Sequence, residues 1–396
     1  MLSYGFLFDL ALILLSTKLL GLLTKKVRLP QVVGALLAGL ILGPSMFNIL
    51  HETEFIMQLA ELGVIILMFT AGIETDIKKL RQVGASSLGI SALGMVIPII
   101  GGIMISLFFN RGAGIPSLQH IFMGIIVAST SVSITVETLK ELGKLNSNAG
   151  NAILGASIVD DIICVIALTV MTSLTGSEVS IGVVLVKIIL FFIIGGFAGY
   201  LFSKVMNQLM KRSDMDLRRF VILSFVFCLL LSYCAEEFFG VAAITGAFLA
   251  GLSISNAPRK HYVETRFETS SYMLLSPVFF ASIGIKVDIP EITLSLILIS
   301  SVLILIAVLG KLIGCGFGAK LFGYNKQESL QIGSGMICRG EVTLIVANKG
   351  VVMGLLDPLF FGPIVIMVIV TAVFMPILLK VVFAEKKIQD TIPIQD

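Results

Sequence analysis

A chain of 396 residues with 57% hydrophobic and 13% charged content is not a soluble domain, because soluble domains carry about 25% charged residues. The formal net charge of +3 says little by itself, and the mean hydropathy of +1.03 says more. Apolar runs of about twenty residues recur along the whole length, which is the pattern of a polytopic helical membrane protein.

Thirteen spans are expected, at roughly 4–23, 31–50, 55–73, 83–108, 119–139, 149–174, 181–203, 219–235, 238–255, 270–285, 292–319, 328–348 and 358–379. The first is long enough to cross and lacks a basic leader, so it reads as a span and not as a cleaved signal. The fourth and eleventh are long enough to be tilted or kinked. All five cysteines (Cys164, Cys228, Cys234, Cys315 and Cys338) fall in apolar runs with no CxxC pair. They read as small buried hydrophobes. His51, His120 and His261 lie near loops and give no metal site. No phosphate-binding glycine loop, zinc spacing or nucleic-acid patch is present in the sequence, and no cofactor is expected.

Loop charge orients the chain. With the N-terminus outside, the inner loops and tail hold 21 Lys and Arg, from Lys25 to Lys387, and the outer loops hold three: Arg111, Lys286 and Lys349. Such a split over alternating loops supports an N-out, C-in topology, because cytoplasmic loops collect basic residues. An odd number of spans also permits an inverted repeat, one half covering about 4–174, a linker helix 181–203, and a second half 219–379. The small-residue runs of spans 2 and 9 sit at matching places and suit close helix packing.

Two spans interrupt themselves. The centre of span 5 is crowded with hydroxyl and β-branched residues (Ser129, Thr130, Ser131, Ser133, Thr135), which offer the backbone alternative hydrogen bonds. The centre of span 12 carries Gly333, Gly335, Arg339, Gly340 and Glu341. Each is the fifth span of its half. Matched interruptions of this kind point to a transporter's site, since unwound backbone and half-helix ends coordinate ions. Ordinary packing through small residues is the plain alternative.

Asp160 and Asp161 stand together in the apolar run of span 6. A charge at mid-membrane costs about 2.5–3.5 kcal/mol on insertion scales, so a pair calls for a function and a partner. Asp160 lies about 17 Å along the helix from the inner start of its span. Lys311 is too far from either end of span 11 to snorkel, and a buried lysine beside a carboxylate lets both be charged. Charge balance pairs Lys311 with one aspartate and leaves the other for a different task, as adjacent helical residues point about 100° apart. Arg339 and Glu341 are expected to support the broken helix, by neutralising each other and the half-helix ends, with a place in the ion path as the other reading. Asp9, Lys18, Glu61, Glu137 and Lys187 read as interfacial residues, and Glu74, Asp76, Glu236 and Glu237 as solvated loop-end charges.

The Leu29-Pro30 and Gly43-Pro44 steps, the hydroxyl-rich 130–135 break, the Asp160-Asp161 pair, Lys311, and the Gly335, Arg339, Gly340, Glu341 set together resemble the bacterial monovalent cation:proton antiporters of the cation:proton antiporter-2 family, relatives of Kef-type systems. The resemblance runs along essentially the whole chain. It implies an all-α fold with a dimerisation domain and a core domain holding two crossed, broken helices, here spans 5 and 12. It implies that Asp161 is the cation- and proton-binding carboxylate, and that Asp160 pairs with Lys311. A homodimer in the bacterial inner membrane follows from it, with electrogenic exchange because both acids are aspartates. No soluble regulatory domain is expected. Na⁺ is the expected cation, with Thr130 and Ser131 offering oxygens, and Li⁺ or K⁺ as alternatives. A channel or an organic-anion symporter on a similar fold is a further alternative. An intramembrane aspartyl protease needs its two aspartates on different helices, and here they are neighbours on one.

Overall fold

The protein is described here from a computed structural model, which describes residues 4–26, 29–109, 117–174, 181–212, 217–257, 260–287 and 293–384. Arg28, Arg111, Arg259, Lys386 and Lys387 of the loop-charge pattern lie outside the described residues. All regular structure among the described residues is helical. The first half comprises α1 (Gly5–Lys26), α2 (Gln31–Leu42), α3 (Glu54–Glu74), α4 (Ile77–Gln82), α5 (Gly84–Phe109), α6 (Ser117–Ala128), α7 (Val132–Glu141) and α8 (Asn148–Leu174). Then follow α9 (Ile181–Arg212), α10 (Leu217–Cys234), α11 (Ala243–Ile254), α12 (Lys260–Ser270) and α13 (Ser276–Ile285). The last four are α14 (Leu294–Leu321), α15 (Lys326–Gly335), α16 (Glu341–Val352) and α17 (Phe361–Phe383).

Among the described residues, nine helical stretches are long and apolar enough to cross a membrane, making this a multi-pass membrane protein. The expected spans 31–50, 238–255, 270–285 and 328–348 are not among the nine, and local chemistry explains why. Helix α2 ends at Leu42, where Gly43 and Pro44 turn the chain. Gly240, at φ +65°, separates a π-helical turn at the end of α10 from the short α11. A second π-helical turn, 271–275, joins the polar α12 to α13, so the expected span continues a helix begun at Lys260. The fourth is broken between α15 and α16. Helix α4 was not expected. Asp76 starts it, accepting from the backbone N–H groups of Lys78 and Lys79.

Without a hydrophobic drive between helices in lipid, close backbone approach through small residues holds them together. Gly39 of α2 lies on the carbonyl of Ala281 in α13, and Gly251 of α11 on the carbonyl of Phe69 in α3; neither place admits a Cβ. Helix α14 lies along α5, with Gly310 against the ring of Pro98 and Cys315 against Gly94. That last contact sets the depth of the site.

Candidate functional site

The centre of the molecule is where two interrupted helices meet. Helix α6 stops at Ala128, residues 129–131 are not helical, and α7 starts at Val132; α15 stops at Gly335 and α16 starts at Glu341. The hydroxyls that the sequence places there bond across the gap. Ser131 N–H donates to the Cys338 carbonyl at 2.9 Å, Thr135 Oγ1 donates to the Gly335 carbonyl at 3.0 Å, and Ser129 and Thr343 share a hydrogen bond of 2.8 Å. A Cβ on Gly340 would fall 2.5 Å from Ser131 Oγ, so only glycine admits this approach. Thr130 is buried, its hydroxyl on the Ala128 carbonyl at 3.5 Å. Ser131 is buried too, and its Oγ has no hydrogen-bond partner among the described residues.

Arg339 is fully buried in this junction. Its Nε and Nη2 donate to the Val127 carbonyl at 2.9 and 2.6 Å, and Nη1 donates to the Ile337 carbonyl at 2.7 Å. Nη1 also reaches the carbonyl of Met336, the residue that ends α15, at 3.3 Å; this carbonyl and that of Val127, in the last turn of α6, lack intrahelical donors and lie at helix ends that carry partial negative charge. One guanidinium thus satisfies two helix ends, and the backbone N–H of Arg339 is held by Thr371 Oγ1 of α17 at 3.1 Å. The side chain of Glu341 lies outside the described residues.

Helix α8 runs beside the junction. Lys311 of α14 reaches Asp160 with its Nζ 2.8 Å from Oδ1, the two side chains 0% and 1% exposed. The small residues between α5 and α14 bring Lys311 within reach. Ser91 of α5 donates to the same carboxylate oxygen at 3.1 Å, while Asp160 Oδ2 has no hydrogen-bond partner among the described residues. Asp161 is 8% exposed and lines a different space, a recess of about 10 Å³ with Ile162, Val165, Ile188 and the 240–245 segment around it. The two acids therefore belong to different surroundings. One turn before them, Ser157 Oγ sits 3.2 Å from Met336 Sδ in the second break.

Some residues of the site are invisible to sequence reasoning. Ser91 is one of many serines in apolar runs, and nothing marks it as a carboxylate ligand. A cavity of about 620 Å³ is bounded by α1, α2, α7, α12 and the start of α13, with Glu74, Glu137, Glu141, Glu264 and Glu268 among its walls. Glu74 is not a solvated loop-end charge. It lies 2.9 Å from Lys140, both side chains less than a fifth exposed, and Lys140 also donates to Thr70 at 3.1 Å. Lys18, an exposed residue, bonds the Tyr272 hydroxyl, and Glu236 accepts from Ala243 N–H at the start of α11. A charge next to a span end looks the same in sequence whether water or a folded-back helix covers it.

Known proteins give this geometry a family. The family model for the transmembrane sodium/hydrogen exchanger matches residues 11–385. The chain is 42% identical over 382 residues to the probable Na(+)/H(+) antiporter GerT of Bacillus cereus, covering 96% of this chain and 99% of that one. It is 39% identical over 388 residues to the Na(+)/H(+)-K(+) antiporter GerN of the same organism, covering 97% and 98%. The solved sodium proton antiporter MjNhaP1 from Methanocaldococcus jannaschii shares the fold, with a TM-score of 0.67, 94% of each chain covered and 18% identity. By family model and by relatives over its full length, the chain belongs to the sodium/hydrogen exchanger family of membrane antiporters.

Proposed function

We propose that the protein exchanges Na⁺ for protons across a bacterial cell membrane by competition of the two ions for Asp161. The observation that carries this reading is the separation of the two acids: Asp160 is committed to Lys311 at 2.8 Å, and Asp161 lines a separate recess. A cation and a proton that share one carboxylate cannot be carried together, which makes the protein an exchanger. Oxygen ligands suit Na⁺, and in this reading the hydroxyls and freed carbonyls at Thr130 and Ser131 in the first break supply them. The unpartnered Ser131 Oγ supports that role. When a cation arrives, Lys311 gives up a proton, so that more protons than cations cross and transport is electrogenic.

The finer architecture belongs to the same proposal: thirteen crossings with the N-terminus outside, an inverted repeat, membership of the cation:proton antiporter-2 branch, and a homodimer in which a core domain moves against a dimer domain. The packing supports the repeat. Helix α2 packs on α13 and α3 on α11, and likewise α1 on α2 and α10 on α11, as a shift of seven spans requires. Helix α5 packs on α8 and α14 on α17, again equivalent pairs. K⁺ as a second transported ion is favoured by the printed name of GerN, at 39% identity.

The test is exchange in everted vesicles and in proteoliposomes with each alkali cation. Wild type dissipates ΔpH on Na⁺ addition, and Asp161→Asn does not. Sodium-dependent dissipation surviving in Asp161→Asn overturns the site assignment. Exchange indifferent to membrane potential removes Lys311's proton from the account.

A further inference from the structure

We propose that protons reach the Asp160–Lys311 pair by their own route, a water-bridged line of polar atoms along the seam between α5 and α8, apart from the recess at Asp161 where the cation binds. The inference rests on the antiport reading above and deepens it.

Three buried polar atoms without hydrogen-bond partners lie on this seam: Asn151 Oδ1, Ser87 Oγ and Asp160 Oδ2. Their residues are each 1% exposed. Gly155 of α8 lies directly against Ser87 Oγ of α5, and one turn further along α5, five residues further along α8, Ser91 Oγ meets Asp160. Asn151 precedes Gly155 by one helical turn, on the same face of α8. The line thus runs from near the start of α8 to the ion pair, about 14 Å along the helix. Beside Gly155 it is covered by α4, whose Leu80 Cδ1 is 3.7 Å from the Cβ position of Gly155.

A serine in a helix ordinarily returns its hydroxyl to a carbonyl three or four residues back. Ser86 does so, donating to Val83 O at 2.8 Å. Ser87, its neighbour, does not, and turns its hydroxyl to α8 instead. Buried polar atoms are almost always satisfied, by protein or by ordered water. Ser87 and Ser91, four residues apart, are separated by about 6 Å along the axis. One water with a hydrogen bond of about 2.8 Å on each side spans that gap.

Each hydroxyl and each water both accepts and donates, so the line can pass a proton. When the cation reaches Asp161, one N–H bond of the Lys311 ammonium breaks. Its proton passes to the Asp160 carboxylate and on to the water between Ser91 and Ser87. That water releases one of its own protons to the next, which Asn151 Oδ1 orients, and the last leaves as hydronium at the inner face. The reverse sequence recharges the pair.

The test compares two transport modes of the full chain in proteoliposomes. In one, radioactive sodium uptake is driven by ΔpH; in the other, sodium exchanges for sodium at equal pH, with no net proton movement. Ser87→Ala removes the hydroxyl without adding an atom. It breaks no protein hydrogen bond, so the folded yield stays at wild type. Proton-coupled uptake should fall by about tenfold, the low side of what a positioned proton donor contributes, while sodium–sodium exchange stays within about twofold of wild type. Asn151→Leu should give the same split, and Ser86→Ala, which lies off the line, should change neither mode. Equal loss in both modes, or no loss in proton-coupled uptake, overturns the route. Absence of proton-coupled exchange in wild type, or its survival in Asp161→Asn, would instead overturn the antiport reading on which the route depends.

Discussion

Replacing Lys311 with methionine keeps an unbranched side chain one atom shorter and removes its charge. The ammonium lies 2.8 Å from Asp160 Oδ1, and the direct attraction at that distance is about 6 kcal/mol at an effective dielectric of 20. Most of it offsets the cost of taking both ions out of water. What the substitution exposes is the other half of the pair: a carboxylate 1% exposed, left with Ser91 as its one described donor. Breaking a buried pair from one side costs about 3–5 kcal/mol, whereas replacing both partners with neutral groups is often close to neutral. Lys311→Met should therefore destabilise by about 3–5 kcal/mol, and adding Asp160→Asn should restore most of that. The chain has no tryptophan, so reversible unfolding in mixed micelles is followed by far-ultraviolet circular dichroism. Additivity of the two single variants within about 0.5 kcal/mol would refute the pairing argument.

Gly340→Ala places a methyl 2.5 Å from Ser131 Oγ and 2.7 Å from Ser131 Cβ. The junction must spread, at a cost of about 1–3 kcal/mol, and Ser131→Gly in the same chain should recover part of it in the same unfolding assay. Arg339→Lys keeps the charge but loses the planar fork that joins the Val127 and Ile337 carbonyls. A loss of about 3 kcal/mol is expected from two forfeited charge-assisted bonds; a drop below about 1 kcal/mol would mean that Arg339 is not the joint. Glu74→Gln at the Lys140 pair, less than a fifth exposed, should cost about 1–3 kcal/mol, less than breaking the fully buried Lys311 pair, and an equal or larger fall in thermal unfolding would refute that ranking.

The features legible in sequence were those that an apolar run makes conspicuous. Asp160, Asp161, Lys311 and Arg339 stand out because a charge in lipid needs an explanation. The 129–131 and 336–340 interruptions stand out because hydroxyls and glycines are poor in helix interiors. What stayed hidden is a matter of distance along the chain. Ser91 and Asp160 are separated by 69 residues, and a serine in a span carries no mark of its partner. The Glu74–Lys140 pair links two span ends that sequence treats as separate loops. The use of Arg339 was half visible: a tie to half-helix ends is a natural role for it, but not the choice of the Val127 carbonyl 212 residues away.

The joint between the two breaks has a further property. Every bond described across it is made by a hydroxyl, a backbone group or a guanidinium: Ser131 to Cys338, Thr135 to Gly335, Ser129 to Thr343, Arg339 to Val127. Arginine keeps its charge throughout the working range of proteins, and neither hydroxyls nor amides gain or lose protons there. The joint is therefore silent to pH. A proton gradient that drives the transported ion finds nothing to act on in these described bonds, and they keep one geometry while the solutions on the two sides differ. Whatever pH dependence the protein shows must arise from its carboxylates, lysines and histidines.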